Sequence, residues 1–189
     1  MRRLAVYCGS SMGANPAFAE TARALGAEMA ARQIGLVYGG GRLGLMGVVA
    51  DAVMEAGGEV YGVIPQALVD LEVAHTGLTE LHIVDSMHTR KAMMTELTDA
   101  FVAIPGGIGT LDELFEAWSW NALGYHAKPF CLLNVGGFWD GMIDFLDTVM
   151  ESGFMSRARR DQLLVADTIN EAIAKLDAAV GQTEPKMVW

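Results

Sequence analysis

The chain has 189 residues, of which 52% are hydrophobic, 23 are acidic and 13 are basic. This length fits one sizeable core, and there is no linker, charge block or repeat, so we expect a single domain over residues 1–189. The acidic balance argues against a nucleic-acid partner, which needs clustered Lys and Arg. No window approaches the roughly 20 continuous apolar residues that span a bilayer, so we expect no membrane partner.

The cysteine and histidine patterns exclude several kinds of site. Cys8 and Cys131 each end an apolar run, show neither disulfide nor metal-ligand spacing, and are expected to be buried thiols. The four histidines also lack ligand spacing, so we expect no metal and no other cofactor. The N-terminal apolar run is too short for a signal peptide and predicts a strand instead, which favours a cytoplasmic protein.

Apolar runs with the length of buried strands alternate with helical patterns along the whole chain. They predict strands at 3–8, 34–38, 59–64, 81–84, 100–104, 129–134 and 163–166. Helices are predicted at about 17–32, 110–123 and 138–150. Three further helices are predicted with one defined end: one ends near residue 57, one begins at residue 87 and one begins at residue 168. This order predicts an α/β fold with a parallel sheet covered on both faces. Residues 65–80 predict a loop with about one helical turn, in which Glu72 is either a solvated loop carboxylate, which composition alone favours, or a lid residue.

The segment DAFVAIPGGIGTLDELFE, residues 99–116, predicts a strand, a tight turn and a helix. Gly106, Gly107 and Gly109 interrupt the strand, and Thr110 is expected to open the helix. A helix that follows a glycine turn presents free N–H groups and a positive dipole end, which suits an anion and most often phosphate.

A second glycine cluster, GGGRLGLMG at residues 39–47, follows the second predicted strand. Its glycines either let the backbone approach a ligand or allow tight packing of helix and strand. It matches neither a dinucleotide fingerprint nor a Walker A loop. Both glycine turns, together with Ser10 after the first strand, should lie at the carboxyl edge of the sheet, where ligands bind in such folds.

Two charged residues stand in unusual positions. Arg90 shares a helix face with Met87, Met94 and Leu97, so it either meets a buried anion or extends its head into water. Glu113 is spaced from Thr110 as in a capping box, so it is either a helix cap or a functional carboxylate on the first helical turn. The helix dipole is expected to favour the ionised form of Glu113.

Four motifs together resemble the LOG family, the cytokinin riboside 5'-monophosphate phosphoribohydrolases. They are CGSS at 8–11, GGGRLGLMG at 39–47, MHTRK at 87–91 and PGGIGTLDE at 105–113. The similarity runs over nearly the whole chain. It implies a Rossmann-like, doubly wound fold and a homodimer, with higher assembly left open. It also implies hydrolysis of the N-glycosidic bond of a nucleoside 5'-monophosphate. The alternatives are a general AMP nucleosidase and a nucleotide-binding sensor without turnover.

The resemblance also implies the site residues. The catalytic pair falls on Arg90 and Glu113, and the substrate carboxylate falls on Glu72. Its phosphate-binding turn falls on Gly106, Gly107, Gly109 and Thr110. Ser10, Gly40, Gly41 and Lys91 are further substrate-binding candidates, because we expect them at the carboxyl edge of the sheet or at the rim of the pocket. One position departs from the family pattern, because Ala122 stands where many members carry Gln.

Overall fold

A computed structural model of the chain describes residues 1–71 and 73–182. Its strands form one seven-stranded sheet. They are β1 Arg3–Tyr7, β2 Gly35–Tyr38, β3 Val60–Pro65, β4 Glu80–Val84, β5 Ala100–Ala103, β6 Phe130–Leu133 and β7 Leu163–Ala166. Each predicted strand is confirmed, with ends that differ by at most one residue.

The strand order identifies where a ligand site can form. The strands lie in the order β4-β3-β2-β1-β5-β6-β7, and each neighbouring pair is parallel. The order reverses at β1, where Leu4 lies beside Leu36 of β2 and Ala100 of β5. A crevice opens at the carboxyl ends of the strands at such a switch point. The predicted Rossmann-like, doubly wound fold is therefore confirmed.

Helices follow each strand along the chain. They are α1 Pro16–Ala31, α2 Gly44–Glu55, α3 Gln66–Val69, α4 Met87–Leu97, α5 Ile108–Ala122, α6 Asp140–Glu151, α7 Arg157–Arg160 and α8 Ile169–Ala179. A short 3₁₀ turn, Val135–Gly137, precedes α6. The single turn predicted within residues 65–80 is α3, whereas the four-residue α7 was not predicted. None of the described helices has the length and apolarity needed to cross a membrane.

Helices cover both faces of the sheet, and this explains the apolar character of its strands. Leu4 and Val6 of β1 pack under α1, α2 and α8, while Ala5 and Tyr7 pack under α4, α5 and α6. Successive side chains of a strand point to opposite faces, so a doubly covered strand must be apolar throughout. Cys8 and Cys131 are buried free thiols, as predicted.

The start of α5 differs from the prediction. The helix begins at Ile108, with Gly107 as N-cap and no side-chain cap bond, so Thr110 is its third residue rather than its first. Glu113 consequently lies on the second turn. The capping-box interpretation of Thr110 and Glu113 is wrong, because a capping box needs its Thr at the N-cap.

Candidate active site

A cavity of about 560 Å³ opens at the carboxyl edge of the sheet, beside the switch point. The loops after β1, β2, β3 and β5 meet around it, and helices α4 and α5 each contribute a charged side chain. Its lining consists of Cys8, Gly9, Ser10, Gly39, Gly41, Leu43, Met46, Ile64, Leu68, Val73, Arg90, Gly107, Ile108, Gly109, Thr110 and Glu113.

Arg90 is buried in the wall of this cavity, with 6% of its surface exposed. Its Nε donates to the Val63 carbonyl oxygen at 3.1 Å, and its Nη2 donates to the Gly39 carbonyl oxygen at 3.3 Å. Its Nη1 lies 3.1 Å from Glu113 Oε1. The guanidinium thus holds the ends of two strands and one carboxylate in a fixed arrangement. The alternative in which Arg90 extends its head into water is wrong.

Glu113 faces Arg90 from α5 and is 9% exposed. Burial raises the pKa of this carboxyl above its ordinary value, and the Arg90 charge opposes that shift without cancelling it. We expected the helix dipole to favour the ionised form. That prediction is wrong, because Glu113 lies beyond the first turn, where the dipole acts most strongly, and desolvation dominates. A carboxyl with a raised pKa accepts a proton more readily than an ordinary carboxyl, which suits general base chemistry.

The first turn of α5 borders the same cavity. Gly107 and Gly109 are exposed to it, and an added Cβ at either position would meet no atom within 4 Å. Thr110 is 2% exposed, and its Oγ1 has no hydrogen-bond partner among residues 1–71 and 73–182. The first four N–H groups of a helix have no partner within the helix. This end of α5 can therefore bind an oxyanion.

The predicted glycine loop supports the cavity from β2. Gly41 lines the cavity. Gly40 has a φ of 71° and packs beneath β3, where an added Cβ would lie 3.0 Å from Ile64. A side chain at Gly44 would overlap the backbone of Ser10. Tight packing therefore accounts for Gly40 and Gly44, whereas approach of the backbone to a ligand stays a prediction.

The four remaining predicted residues lie in different places. Ser10 lines the cavity from the loop after β1. Gly106 borders a neighbouring cavity of about 190 Å³, whereas Lys91 contacts α5 at Asp112 and Glu116, with Nζ–O distances of 3.0 and 2.8 Å. Glu72 lies outside the described residues.

Sequence reasoning missed the apolar part of the lining. Leu43, Met46, Ile64, Leu68 and Val73 form most of it. In the sequence, only their positions in or beside the glycine loop and the 65–80 loop indicated that they could line a ligand cavity. Cys8 also lines the cavity, but burial raises the pKa of its thiol far above the ordinary value, so it stays protonated.

The sequence is similar to a described family and to proteins with assigned names. A family model described as "Possible lysine decarboxylase" matches residues 46–176. The cytokinin riboside 5'-monophosphate phosphoribohydrolase LOG of Oryza sativa subsp. japonica is 45% identical, over 100% of this chain and 78% of its own length. The cytokinin riboside 5'-monophosphate phosphoribohydrolase LOG3 of Arabidopsis thaliana is 44% identical, over 93% of this chain and 82% of its own length.

Solved structures share the fold at lower identity. The molybdenum cofactor carrier protein of Chlamydomonas reinhardtii is 20% identical with a TM-score of 0.70, covering 94% of this chain and 96% of that one. The molybdenum cofactor binding protein of Rippkaea orientalis is 19% identical with a TM-score of 0.69, covering 93% and 95%. At this identity the likeness concerns the fold alone.

Proposed function

Because this chain belongs to the family of cytokinin riboside 5'-monophosphate phosphoribohydrolases, we propose that it hydrolyses the N-glycosidic bond of such monophosphates. The products are a free base and ribose 5-phosphate. The observation that carries the proposal is the buried Arg90–Glu113 pair, with 3.1 Å between Nη1 and Oε1, on the wall of a cavity bordered by the start of α5.

The 5'-phosphate binds at the first turn of α5 in this proposal. Gly107 and Gly109 let the phosphate approach the backbone, and the Thr110 hydroxyl donates to one of its oxygens. Thr110 and Glu113 are three residues apart and lie on one face of the helix. A phosphate held at Thr110 would therefore present the attached ribose to the carboxylate.

Glu113 supplies the chemistry. Breaking the ribosyl C–N bond develops positive charge on the sugar, as in glycoside hydrolysis, and a carboxylate stabilises that charge. We propose that Glu113 Oε2 accepts a proton from the attacking water, since Oε1 faces Arg90. The role of Arg90 is to orient Glu113 and to offset the repulsion between carboxylate and phosphate.

The apolar lining supports a base that carries a hydrocarbon substituent. Leu43, Met46, Leu68, Val73 and Ile108 offer an apolar surface, which gains from burying such a group. Ser10, Gly41 and Gly40 are proposed to contact the substrate or shape the loop beneath it. Lys91, Gly106 and Glu72 stay predicted substrate-binding residues.

A lysine decarboxylase of the pyridoxal phosphate type does not fit the same cavity. Such enzymes hold their cofactor as a Schiff base with a lysine. The lining drawn from the described part of the chain contains no lysine, and Lys91 is paired with Asp112 and Glu116.

The proposal is tested by incubating the protein with AMP, isopentenyladenosine 5'-monophosphate and adenosine, and identifying products by mass spectrometry. We expect free base and ribose 5-phosphate from the prenylated monophosphate, slower release from AMP, and at least about a hundredfold less from adenosine, which lacks the phosphate anchor. Equal or faster turnover of AMP would instead identify a general AMP nucleosidase. Binding of AMP without any product would identify a sensor.

We also propose a homodimer in the cytoplasm. Phe154 is 88% exposed and lines a groove of about 400 Å³ between α5 and α7, together with Phe115, Trp118 and Ala122 among others. Exposed apolar patches of this kind mark interaction surfaces. Light scattering should give twice the chain mass, and Phe154→Asp should lower it. A monomeric wild type would contradict the dimer without affecting the proposed reaction.

A further inference from the structure

One part of the cavity wall is tied to the rest of the fold by hydrogen bonds. The segment 73–76 crosses the glycine loop as a short antiparallel bridge, with Ala74 opposite Gly41. Arg42 N donates to the Val73 carbonyl oxygen at 2.9 Å, and His75 N donates to the Gly40 carbonyl oxygen at 2.8 Å. Val73 and Gly41, which the bridge brings together, both line the cavity.

The side chain of His75 extends this bridge to a helix. Its Nε2 lies 3.0 Å from Asp51 Oδ1 on α2, and its Nδ1 lies 2.8 Å from the Thr76 carbonyl oxygen. Both ring nitrogens therefore lie within hydrogen-bond distance of an oxygen acceptor. The His75 side chain is 11% exposed, whereas that of Asp51 is 57% exposed. The ring therefore connects the segment, its own backbone and α2.

We infer that His75 and Asp51 are positioning residues, which hold Val73 in the wall where the base of the substrate binds. This inference rests on the proposed function for its substrate, but the tether itself does not. Neither residue contributes to the cavity lining, and the Arg90–Glu113 pair belongs to other elements. Loss of the tether should therefore weaken substrate binding and leave the chemical step unchanged.

Steady-state kinetics test the positioning role. His75→Ala should raise KM for isopentenyladenosine 5'-monophosphate about three- to tenfold, with kcat within about twofold, as expected for the loss of a partly buried side-chain hydrogen bond. Asp51→Ala should act in the same direction, and the double variant should be no worse than His75→Ala alone. His82→Ala is the matched control, because His82 pairs with Glu80 on the edge strand β4, at 3.3 Å, and should leave KM unchanged. A fall in kcat with KM unchanged would overturn the inference.

Amide hydrogen exchange tests the tether without any turnover. Exchange of the amides of residues 75 and 42, both bonded within the bridge, should become at least about threefold faster in His75→Ala, while that of Phe101 in the interior strand β5 stays the same. Unchanged exchange at His75 and Arg42 would refute the tether. If wild type hydrolyses no monophosphate, the proposed function fails, and the exchange result still decides whether His75 holds the segment.

Discussion

The guanidinium of Arg90 occupies the space that a side chain at Gly39 would need. A Cβ built at Gly39 would overlap Arg90 Nη2 and lie 2.9 Å from Arg90 Cζ. At the same time, the Gly39 carbonyl oxygen accepts from Nη2 at 3.3 Å. Residue 39 therefore both makes room for the arginine and fixes its direction, and the glycine loop in this way supports the proposed role of Arg90.

Gly39→Ala should displace Arg90 from Glu113. Because the clash is with a buried and fully bonded group, we expect a loss of about 2 kcal/mol or more in the free energy of unfolding. Activity should fall together with stability. Urea denaturation and the base-release assay measure the two effects.

Gly109→Ala is the matched comparison. Its added Cβ meets nothing, and Ala is a better helix former, so stability should stay the same or rise by up to about 1 kcal/mol. The methyl group would nevertheless project beside the proposed phosphate position and should raise KM. A Gly109→Ala enzyme with wild-type KM would contradict phosphate binding at this turn.

Thr110→Val tests the hydroxyl of the same turn. Oγ1 is buried and has no hydrogen-bond partner in the described parts of the chain. The substitution should therefore lower the free energy of unfolding by no more than about 0.5 kcal/mol, because no hydrogen bond within the protein is lost. If the hydroxyl binds phosphate, KM should rise by about tenfold. Thr95→Val serves as the contrast, because Thr95 Oγ1 donates to the Lys91 carbonyl oxygen at 2.9 Å and its loss should lower stability. Unchanged KM in Thr110→Val would exclude the hydroxyl as a ligand.

The Arg90–Glu113 pair should show strong coupling in a double-mutant cycle. Arg90→Met leaves a buried carboxylate without its partner and should cost about 3 kcal/mol or more in the free energy of unfolding. Combining it with Glu113→Leu should cost clearly less than the sum of the two single changes. Chemical denaturation of the four proteins measures the coupling, and additive losses would show that the pair does not interact.

His126 should make stability depend on pH. Burial lowers the pKa of this ring to about 4, and the ring contacts the rings of both Phe101 and Phe130. In the unfolded chain the histidine pKa is near 6.5. Between about pH 6.5 and pH 4, the unfolded chain therefore binds a proton at this ring, whereas the folded chain does not. The stabilisation is complete above that window and is lost as pH falls through it, by roughly 1 to 2 kcal/mol between pH 7 and pH 5. His126→Gln, which cannot titrate, should lose less over the same range, and parallel losses would contradict this explanation.

The fold could be predicted almost completely from sequence. Doubly covered parallel strands are continuous apolar runs bounded by glycine, proline or polar residues, so even the four-residue strand Leu163–Ala166 was located correctly. The start of α5 was misplaced because Thr110 resembles an N-cap, whereas the actual cap is Gly107, which has no side chain to recognise. The short helix α7 was not predicted because its four residues contain no apolar residues at helical spacing.

The candidate site was predictable in part. The approach of Arg90 to Glu113 joins residues 23 positions apart on two helices, and only an arginine in an apolar stripe pointed to it. Its two carbonyl partners, at Gly39 and Val63, are backbone atoms that carry no sequence signal. The raised pKa of Glu113 was mispredicted because desolvation depends on the tertiary packing around α5.

The most direct test of the account compares wild type with Glu113→Gln in a product assay for free base and ribose 5-phosphate, beside a binding measurement with AMP. The amide keeps an oxygen for Arg90 but cannot act as a base, so turnover should fall by about a thousandfold or more while AMP affinity changes by less than about fivefold. Glu28→Gln, on the distant helix α1, should behave as wild type. Retention of more than about a tenth of wild-type turnover by Glu113→Gln would contradict the central claim that this carboxylate performs the hydrolysis.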